Sequence, residues 1–436
     1  MANTLRVLLG TAVLLSWAQA QWHHYVVDSM AENQLPRLVM RGRIPHIVFY
    51  TDAGLEYAVW DSGVWKRDTV DIAETFHNGN PALAFSRGKA RPTAFDREGN
   101  PHVAWFKGTP WYAYWDGAEW QREEIDTDSG GDYISLALDS VGMPCAAYAR
   151  RRGLFNYMLK FAFRDSQGWH PALVDSSGGA DCVLAFDTLG QACIAHCESW
   201  SDAALFFHTK TDTGWVKETV VPEHTSQCKM VLDQNGDPHI SYYWAGGGAY
   251  DLRFAERVGG EWRFDIIDPG QQTSKRGWDN WIVRDQSGTH HLSYHAHNEL
   301  QVRYAWGMYG DWQVEVVNTV GGWNLGSSID VDELGRPCMA YVNEHQSDRL
   351  YLSTRFDLTG INLGPGRCPE AAESRIPAIV RGSVNLEGNE PALLVDALGR
   401  RVMALKPGKN DVGHAAPGVQ FVVRGAHGSD KIVIQR

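Results

Sequence analysis

Five tryptophans stand outside the repeating positions that account for most of the 18 tryptophans in this 436-residue chain. They are Trp111, Trp200, Trp244, Trp278 and Trp323. Indole rings stack on sugar rings and anchor peptides, because each combines a large apolar face with one N–H donor. Polar neighbours expected on the same surface can add hydrogen bonds: Glu198, Lys275, Arg276, Asp279, Asn298, Asn324 and Glu344. The pattern predicts a ligand-binding surface, the alternative being that these rings only cap the ends of packed strands.

A metal site is the second chemistry to consider, in the segment THHLSYHAHNE at residues 289–299. His291, His295 and His297 share strand parity, so an extended strand directs them to one face. The first two also occupy positions that recur along the chain as packed His, Cys or aromatic residues. We therefore expect no metal and no other cofactor, and we assign no catalytic residue.

Two groups of basic residues are a further indication of ligand chemistry. Arg150–Arg152 follow one predicted strand, and Lys89 and Arg91 precede another. They would form a spot for an anionic ligand, or they are ordinary solvated loop charges, which is the interpretation we favour.

The elements that must position these residues belong to an internal repeat, an apolar strand followed by D-x-x-G-x-P-[HC]. A degenerate copy keeps Pro45 and His46 but has Met40 and Arg43 where the Asp and Gly should be. The six complete copies carry their Asp and Gly at Asp96/Gly99, Asp139/Gly142, Asp187/Gly190, Asp233/Gly236, Asp285/Gly288 and Asp332/Gly335. The chain therefore contains seven copies.

Each copy is predicted to form four short strands. The copy around Asp233 shows them at Lys229–Leu232, His239–Tyr243, Leu252–Glu256 and Trp262–Ile267. In the turn after the first strand, Asp accepts backbone N–H bonds and Gly supplies a positive φ. Four strands in a period of this length are typical of a β-propeller. We therefore predict an all-β fold with a seven-bladed β-propeller.

The two ends of the repeat region complement each other. The seventh copy stops after its third strand, whereas QWHHYVVD at residues 21–28 matches a fourth strand, with Trp22 at the position of Trp65, Trp120 and Trp262. We therefore expect the N-terminal strand to complete the last blade, because an unpaired sheet edge is a liability.

The chain begins with an apolar segment that predicts a secretory signal peptide over residues 1–20, cleaved near Ala20. We therefore expect a protein that is secreted or held on the outer cell surface, with no membrane span. A net charge of −12 argues against nucleic acid as a partner. Among seven cysteines, Cys182 and Cys228 occupy equivalent repeat positions on neighbouring strands, where a disulfide is one alternative.

The repeat ends near residue 361. We expect a linker over 362–376 and a small β-sandwich over 377–436, with strands at Ala392–Asp396, Arg401–Leu405, Val419–Arg424 and Lys431–Ile434. This region, LLVDALGRRVMAL…APGVQFVVRG…KIVIQR, resembles the C-terminal sorting domains of bacterial type IX secretion cargo. The resemblance implies the type IX secretion machinery as a partner. The alternative is an Ig-like accessory domain with no sorting role.

The seven copies resemble bacterial secreted propellers with LD-x-x-G-x-PHI-x-Y blades and, more loosely, the Asp-box repeats of sialidase-like propellers. Turns such as Asp61-Ser-Gly63-Val-Trp65 carry the looser resemblance, but they lack the preceding Ser or Thr and the Trp spacing of a full Asp-box. A sialidase needs an arginine triad. Arg43-Ile44-Pro45 matches one part of that pattern, and no equivalent arginines complete it.

Three functions remain from the sequence. The first is recognition of a glycan or another surface macromolecule through the propeller loops that carry Trp200, Trp244, Trp278 and Trp323. The second is a sialidase-like glycoside hydrolase or a lyase, and the third is a structural spacer at the cell surface. A propeller frame is compatible with each of them.

Overall fold

The computed structural model divides the chain into two compact units, residues 1–363 and 364–436. It describes residues 21–29, 36–72, 82–85, 100–128, 130–152, 156–199, 203–320, 326–343, 349–359 and 361 of the first unit. In the second unit it describes residues 378–380, 383–386, 392–396, 401–412, 418–423 and 429–434. The predicted signal peptide, residues 1–20, lies outside the described residues. In the described part of the chain, no helix has the length and apolar character to cross a membrane.

The first unit is built from antiparallel sheets, so the all-β prediction is confirmed. Its only described helical element is a single 3-10 turn at His297–Glu299. Two four-stranded sheets come first: β2 (Arg37–Arg41), β3 (Ile44–Thr51), β4 (Gly54–Asp61) and β5 (Val64–Ile72), then β6 (Ala82–Phe85), β7 (Pro101–Lys107), β8 (Thr109–Trp115) and β9 (Trp120–Glu124). A third contains β10 (Gly131–Leu138), β11 (Pro144–Arg151), β12 (Tyr157–Asp165) and β13 (Gly168–Asp175).

A seven-stranded sheet follows: β14 (Ala180–Phe186), β15 (Ala192–Cys197), β16 (Ala203–Thr211), β17 (Gly214–Leu232), β18 (Pro238–Trp244), β19 (Asp251–Val258) and β20 (Glu261–Asp268). The last complete sheet is β21 (Arg276–Arg284), β22 (His290–Ala296), β23 (Gln301–Met308) and β24 (Asp311–Thr319). The four strands expected around Asp233 are all present. However, the expected first strand is the end of β17, which serves two copies without a loop and bends where His224 and Gln227 take positive φ angles of 62° and 55°.

The first strands of successive copies form a closed ring. Neighbouring strands pack against each other in the order β2, β6, β10, β14, β17, β21 and β25 (Ser327–Val331), and β25 packs against β2. The side chains between the sheets form the buried clusters of the core. Because the ring closes, the first strands surround one central space, and the candidate site lies there.

The N-terminal strand β1 (His23–Asp28) completes the sheet of β25, β26 (Pro337–Asn343) and β27 (Arg349–Thr354). It runs antiparallel to β27, with His23 opposite Thr354 and Tyr25 opposite Leu352. Trp22 is 9% exposed, and its Nε1 donates to Glu315 of the preceding sheet over 2.8 Å. The same bond recurs between fourth strands at Trp120–Asp68, Trp169–Glu123, Trp262–Glu218 and Trp312–Asp265. The strand therefore lies where the sequence predicts the missing one.

The D-x-x-G turns have the expected geometry. In five copies Asp Oδ1 accepts the backbone N–H groups two and four residues later over 2.8–3.0 Å; in the copy of Asp233 these belong to Asn235 and Asp237. The Gly of each of these turns has a positive φ, which is 88° at Gly236.

The shared His/Cys position of the repeat is buried. Whether it holds His or Cys depends on the residue that lies near it on the third strand. His46, His102 and His291 each hydrogen-bond through Nδ1 to a tyrosine hydroxyl, of Tyr57, Tyr112 and Tyr304. Cys145, Cys193 and Cys338 pair by register with Phe163, Thr209 and Thr354. Two residues earlier on those third strands, at the position of the tyrosine, stand Phe161, Phe207 and Leu352. Histidine therefore occurs where a hydroxyl is available, and cysteine where the partner is apolar. In the copy of His239 the tyrosine position holds Phe254, and His239 bonds His290 instead.

Tyr112→Phe is expected to destabilise the protein by about 1–3 kcal/mol, because buried His102 loses its Nδ1 partner. Adding His102→Cys recreates the pair Cys145 and Phe161, and the double variant should recover part of the loss. Thermal melting of both variants tests this, with Tyr309→Phe as the control for an exposed ring. A double variant that melts below Tyr112→Phe would contradict the matching rule.

The described cysteines are free thiols. The Cys182 thiol contacts the carbonyl oxygen of Ala147 over 3.5 Å. The Cys228 thiol lies against the thiol of Cys197. The alternative of a Cys182–Cys228 disulfide is therefore wrong for this structure. Burial raises the pKa of both thiols, so both stay protonated at neutral pH.

The second unit contains a five-stranded sheet and a separate strand pair. The larger sheet is ordered β28 (Ala378–Val380), β34 (Ser429–Ile434), β33 (Gly418–Val423), β30 (Ala392–Asp396) and β31 (Arg401–Leu405). The pair is β29 (Ser383–Leu386) with β32 (Gly408–Asp411). All four expected strands are present within two residues of their predicted bounds. Its sandwich character and its sorting role stay predictions.

Candidate functional site

The first strands enclose a cavity of about 230 Å³ in the middle of the ring. Its lining comes from six of them, β2, β10, β14, β17, β21 and β25. Most of the lining is apolar, as in Leu184, Met230 and Ile282, but charged residues of β2, β14, β17 and β25 also line it: Arg37, Asp181, Lys229 and Asp330. A small cavity with a few convergent polar groups is typical of a ligand site.

Three neighbouring first strands are bulged at the same repeat position. Asp181, Gln227 and Asp279 have φ angles of 53°, 55° and 47°, which non-glycine residues rarely adopt. The bulges are linked: Asp181 Oδ2 accepts the Gln227 N–H over 3.2 Å, and Gln227 Oε1 accepts the Asp279 N–H over 2.8 Å. β-Bulges redirect side chains and occur next to functional sites. These three therefore fix the positions of two carboxylates, Asp181 and Asp279.

Two cations lie on the ring of Trp281. The Arg37 Cζ is 3.9 Å from the ring centroid, and the Lys229 Nζ is 5.6 Å from it. Both side chains are buried, each with a residue exposure of 7%. The Lys229 ammonium donates to the Cys228 carbonyl oxygen over 2.9 Å and lies 3.6 Å from Asp181 Oδ1.

Arg37 differs from Lys229 in having no carboxylate within ion-pair distance among the described residues. Among the residues that the structure describes, no hydrogen-bond acceptor or carboxylate lies within bonding distance of its guanidinium. Burial lowers its pKa to about 10, although the charges of Asp279 and Asp181 oppose this change. The group therefore remains charged at neutral pH, faces the cavity and has its N–H donors available.

The Asp279 carboxyl is the titratable group of this site. Burial raises its pKa to about 6, the Asp181 charge adds to the rise, and Lys229 and Arg37 oppose it. Tyr133, on the cavity wall, has its pKa raised by burial and stays a neutral hydroxyl. Near pH 6 the Asp279 carboxyl is therefore half-protonated, and the charged Arg37 guanidinium lies in the same site.

An aromatic cluster lies next to this site along β21, because Trp278 directly precedes Asp279. Trp278 packs edge-on against Tyr243 at 5.4 Å and beside His297 at 5.2 Å. Tyr243 in turn contacts Tyr250, over which Lys275 places its ammonium at 5.2 Å. We call Tyr243, Tyr250, Trp278 and His297 the aromatic rim.

Of the predicted site residues, the structure brings Trp278, Asp279 and Trp244 to this region. Trp244 is half-buried at the end of β18, with the Arg253 Cζ 3.5 Å from its centroid and His224 against its edge, so one face is already covered. Trp278 lies within β21, not in the loop before it. The exposed Asn298 amide donates to the Gln272 carbonyl oxygen over 2.8 Å beside the rim.

Three predicted residues have other roles. Trp111 was expected in a loop, but it lies within β8 and stacks on buried Trp105, because the second and third strands of that copy are joined by a tight turn. Arg276 is buried between Asp268 and Glu299, at 3.2 and 2.7 Å, so its charge is already matched. Exposed Glu198 follows β15, and only its backbone is engaged, by Ala204. Trp200, Trp323, Asn324 and Glu344 lie outside the described residues.

The histidine segment also has a structural explanation. His291 bonds Tyr304 and Asp285, His295 is buried, and His297 belongs to the aromatic rim. Of the basic groups, Arg150 and Arg151 face Asp128 and Asp132 at 3.6 and 2.9 Å, as expected for surface charges.

Sequence reasoning missed Arg37, Lys229 and Asp181. The available signal was a charged residue inside an otherwise apolar first strand, as in CKMVL at residues 228–232 and LPRLVM at residues 35–40. Such a residue becomes informative only when the first strands are known to surround one cavity.

Neither the protein-family models nor the curated proteins include a match to this chain. Among solved structures, an ulvan lyase bound to -[GlcA(1-4)Rha3S]- is similar, at 14% identity over 76% of this chain and 95% of that chain, with a TM-score of 0.52. The Aleuria aurantia lectin matches at 13% identity over 68% of this chain and 99% of the lectin, with a TM-score of 0.45. AofleA from Arthrobotrys oligospora matches at 12% identity over 69% and 90%, with a TM-score of 0.46. The likeness to the ulvan lyase shows that this chain has a β-propeller-like, all-β fold.

Proposed function

We propose that this protein binds an acidic glycan, with one carboxylate or sulfate group of the glycan seated between Arg37 and Lys229 in the central cavity. The observation that carries the proposal is Arg37, a buried guanidinium on Trp281 that faces the cavity without a described carboxylate partner. A buried charge without a partner is costly for a fold. A ligand anion would supply the missing partner, and guanidinium geometry suits two-point contact with a carboxylate or sulfate.

The size of the cavity defines how the glycan is held. At about 230 Å³ it is smaller than the roughly 300–1,000 Å³ that encloses a drug-sized ligand. It accommodates one charged group or one ring, so the rest of the chain lies outside, along the aromatic rim. Trp278 and Tyr250 are half-buried there and offer apolar surface to sugar rings. This arrangement agrees with the class of ligand that the ulvan lyase contains.

We also propose the domain architecture and the extracellular location that the sequence predicts. The ring of first strands corresponds to a seven-bladed β-propeller, and residues 377–436 to a β-sandwich sorting domain for type IX secretion. An exported protein that recognises an acidic polysaccharide would then act outside the cell or at its surface.

Catalysis is the second candidate, and Asp279 favours it. A carboxyl group with a pKa of about 6, beside two cations, can exchange a proton at neutral pH. A lyase or hydrolase that acts on the bound acidic glycan would use this group as acid or base. Product formation during prolonged incubation with the glycan, absent in Asp279→Asn, would establish this candidate.

The test is a binding screen of the full chain against paired polysaccharides of similar backbone, one with and one without uronate or sulfate groups. We expect binding to the acidic member of each pair only. Equal binding to both members would place recognition on the aromatic rim alone. No binding to any acidic glycan by a folded protein would reject the proposal.

The affinity for a sulfated glycan is expected to fall roughly threefold to tenfold between pH 5 and pH 7.5. The sulfate stays ionised throughout, whereas Asp279 loses its proton as the pH rises through about 6 and then repels the ligand. Asp279→Asn should bind as the wild type does at pH 5 and should show no such change. A pH dependence that persists in Asp279→Asn would assign it to another group.

A further inference from the structure

One sheet departs from the repeat at two positions that face each other. By register, His196 stands where Tyr148 and Tyr294 stand in the sheets of β11 and β22. On the neighbouring third strand, His208 stands where Ala162 and Ala305 stand. A histidine in place of a methyl group needs space and a polar partner, so the two changes call for a joint explanation.

In the sheets of β11 and β22 this position serves a carboxylate from the preceding sheet. Tyr148 donates its hydroxyl to Asp126 over 2.6 Å, and Tyr294 donates to Asp268 over the same distance. The corresponding carboxylate here is Asp175, at the end of β13. Its Oδ2 lies 3.8 Å from His196 Nε2 and 3.4 Å from His208 Nε2, and the two Nε2 atoms are 3.0 Å apart. Three potential ligand atoms therefore converge on one point.

These separations match a metal site. With Zn–N bonds of about 2.0–2.1 Å, tetrahedral ligands lie about 3.3–3.4 Å from each other. The orientation of His196 also fits, because its Nδ1 lies 3.1 Å from the Cys197 carbonyl oxygen, which can only accept. The proton is therefore on Nδ1, and the Nε2 lone pair points at Asp175 and His208. Metal-ligating histidines are commonly held in this way.

Both imidazoles are available as neutral ligands. They are 0% and 2% exposed, and burial lowers the pKa of His196 to about 3 and that of His208 to about 4. The Nδ1 of His208 has no hydrogen-bond partner among the described residues, and its Nε2–H donates to the His196 Nε2 lone pair over 3.0 Å when no metal is bound. A bound metal would move that proton to Nδ1.

We propose that Asp175, His196 and His208 form a binding site for one divalent transition-metal ion of the zinc class. Two imidazole nitrogens and one carboxylate oxygen suit Zn²⁺, and also Co²⁺, which can replace it as a spectroscopic probe. Oxygen-preferring Ca²⁺ and Mg²⁺ do not suit this donor set. Three protein ligands leave one coordination position for water.

Lys217 is the competitor of this ion. Its Nζ lies 2.6 Å from Asp175 Oδ2 and 3.6 Å from the Phe206 centroid, and its side chain is 35% exposed. The equivalent carboxylates Asp126 and Asp268 have cations of their own, Lys160 and Arg303. The partly exposed Lys217 therefore neutralises Asp175 when the metal is absent and moves toward solvent when the metal binds.

The test compares the full chain with a variant that restores the repeat, His196→Tyr with His208→Ala. This variant is built from residues that other sheets already accommodate, so we expect it to fold. After dialysis against Zn²⁺ and removal of free metal, the wild type should retain one equivalent more than the variant. Bound Co²⁺ should show the visible absorption of a four-coordinate site, and Zn²⁺ should raise the melting temperature of the wild type only.

The Lys217→Ala variant is expected to strengthen metal binding, whereas the restored variant loses it. It should bind Zn²⁺ more tightly, by about tenfold or more, because the competing charge is removed. Equal metal content in the wild type and the restored variant would assign the bound metal to surface histidines and reject the site. Unchanged affinity in Lys217→Ala, together with no metal-dependent shift in melting, would reject it as well. Neither result depends on glycan binding.

Discussion

Deletion of residues 21–29 is expected to lower the melting temperature of the protein by about 5 °C or more. The deletion removes Trp22 and the whole of β1, and with them two side chains of the core, Trp22 at 9% and Val27 at 3% exposure. Loss of a buried tryptophan alone typically costs about 3–5 kcal/mol. The deletion also leaves β27 as an open sheet edge, so we expect association that increases with protein concentration.

The same variant allows a rescue experiment. A synthetic peptide of residues 21–29 should add to the open edge as a strand and restore most of the melting temperature, because pairing with β27 needs no covalent connection. A matched peptide with Ala in place of Trp22 should restore less. Unchanged melting of the deletion variant would show that β1 contributes little to closing the ring.

The repeat made the fold predictable from the sequence. The D-x-x-G turn has one geometry in the five copies that the structure describes, because a carboxylate acceptor and a positive-φ glycine are needed at a fixed distance from each other. The unmatched ends, residues 21–28 and the incomplete last copy, indicated the pairing of β1 with β27. The fusion of two copies through β17 was not predictable, because it depends on His224 and Gln227 adopting positive φ in place of a glycine.

The candidate site was harder to predict from the sequence than the fold, for two physical reasons. Trp244 and Arg276 have residue types typical of binding, but Arg253 covers one face of Trp244, and Asp268 and Glu299 pair with Arg276. Conversely, Arg37 and Lys229 lie almost 200 positions apart in the sequence and meet only because the ring closes. Departures from the repeat, such as His208 in place of alanine, were visible in the sequence. They become informative once strand register aligns the copies.

Arg37→Met is expected to lower the affinity for an acidic glycan by about 30-fold or more. Loss of one buried, charge-assisted contact typically costs 2–5 kcal/mol, and each 1.4 kcal/mol is a factor of ten. Arg37→Lys retains the charge but loses the two-point contact, so it should recover only part of the affinity. Arg263→Ala is the matched control, because it removes the same charge from β20, an outer strand of its sheet.

The stability of Arg37→Met distinguishes a binding role from a structural one. A structural arginine is engaged by acceptors, and its removal leaves them unsatisfied and the protein less stable. Arg37 contacts Trp281 but has no described carboxylate partner, so the methionine keeps the packing and removes a buried charge. We therefore expect a melting temperature equal to or above that of the wild type, together with the loss of glycan affinity. A lower melting temperature with unchanged affinity would make Arg37 a structural residue and leave the cavity without its anion site.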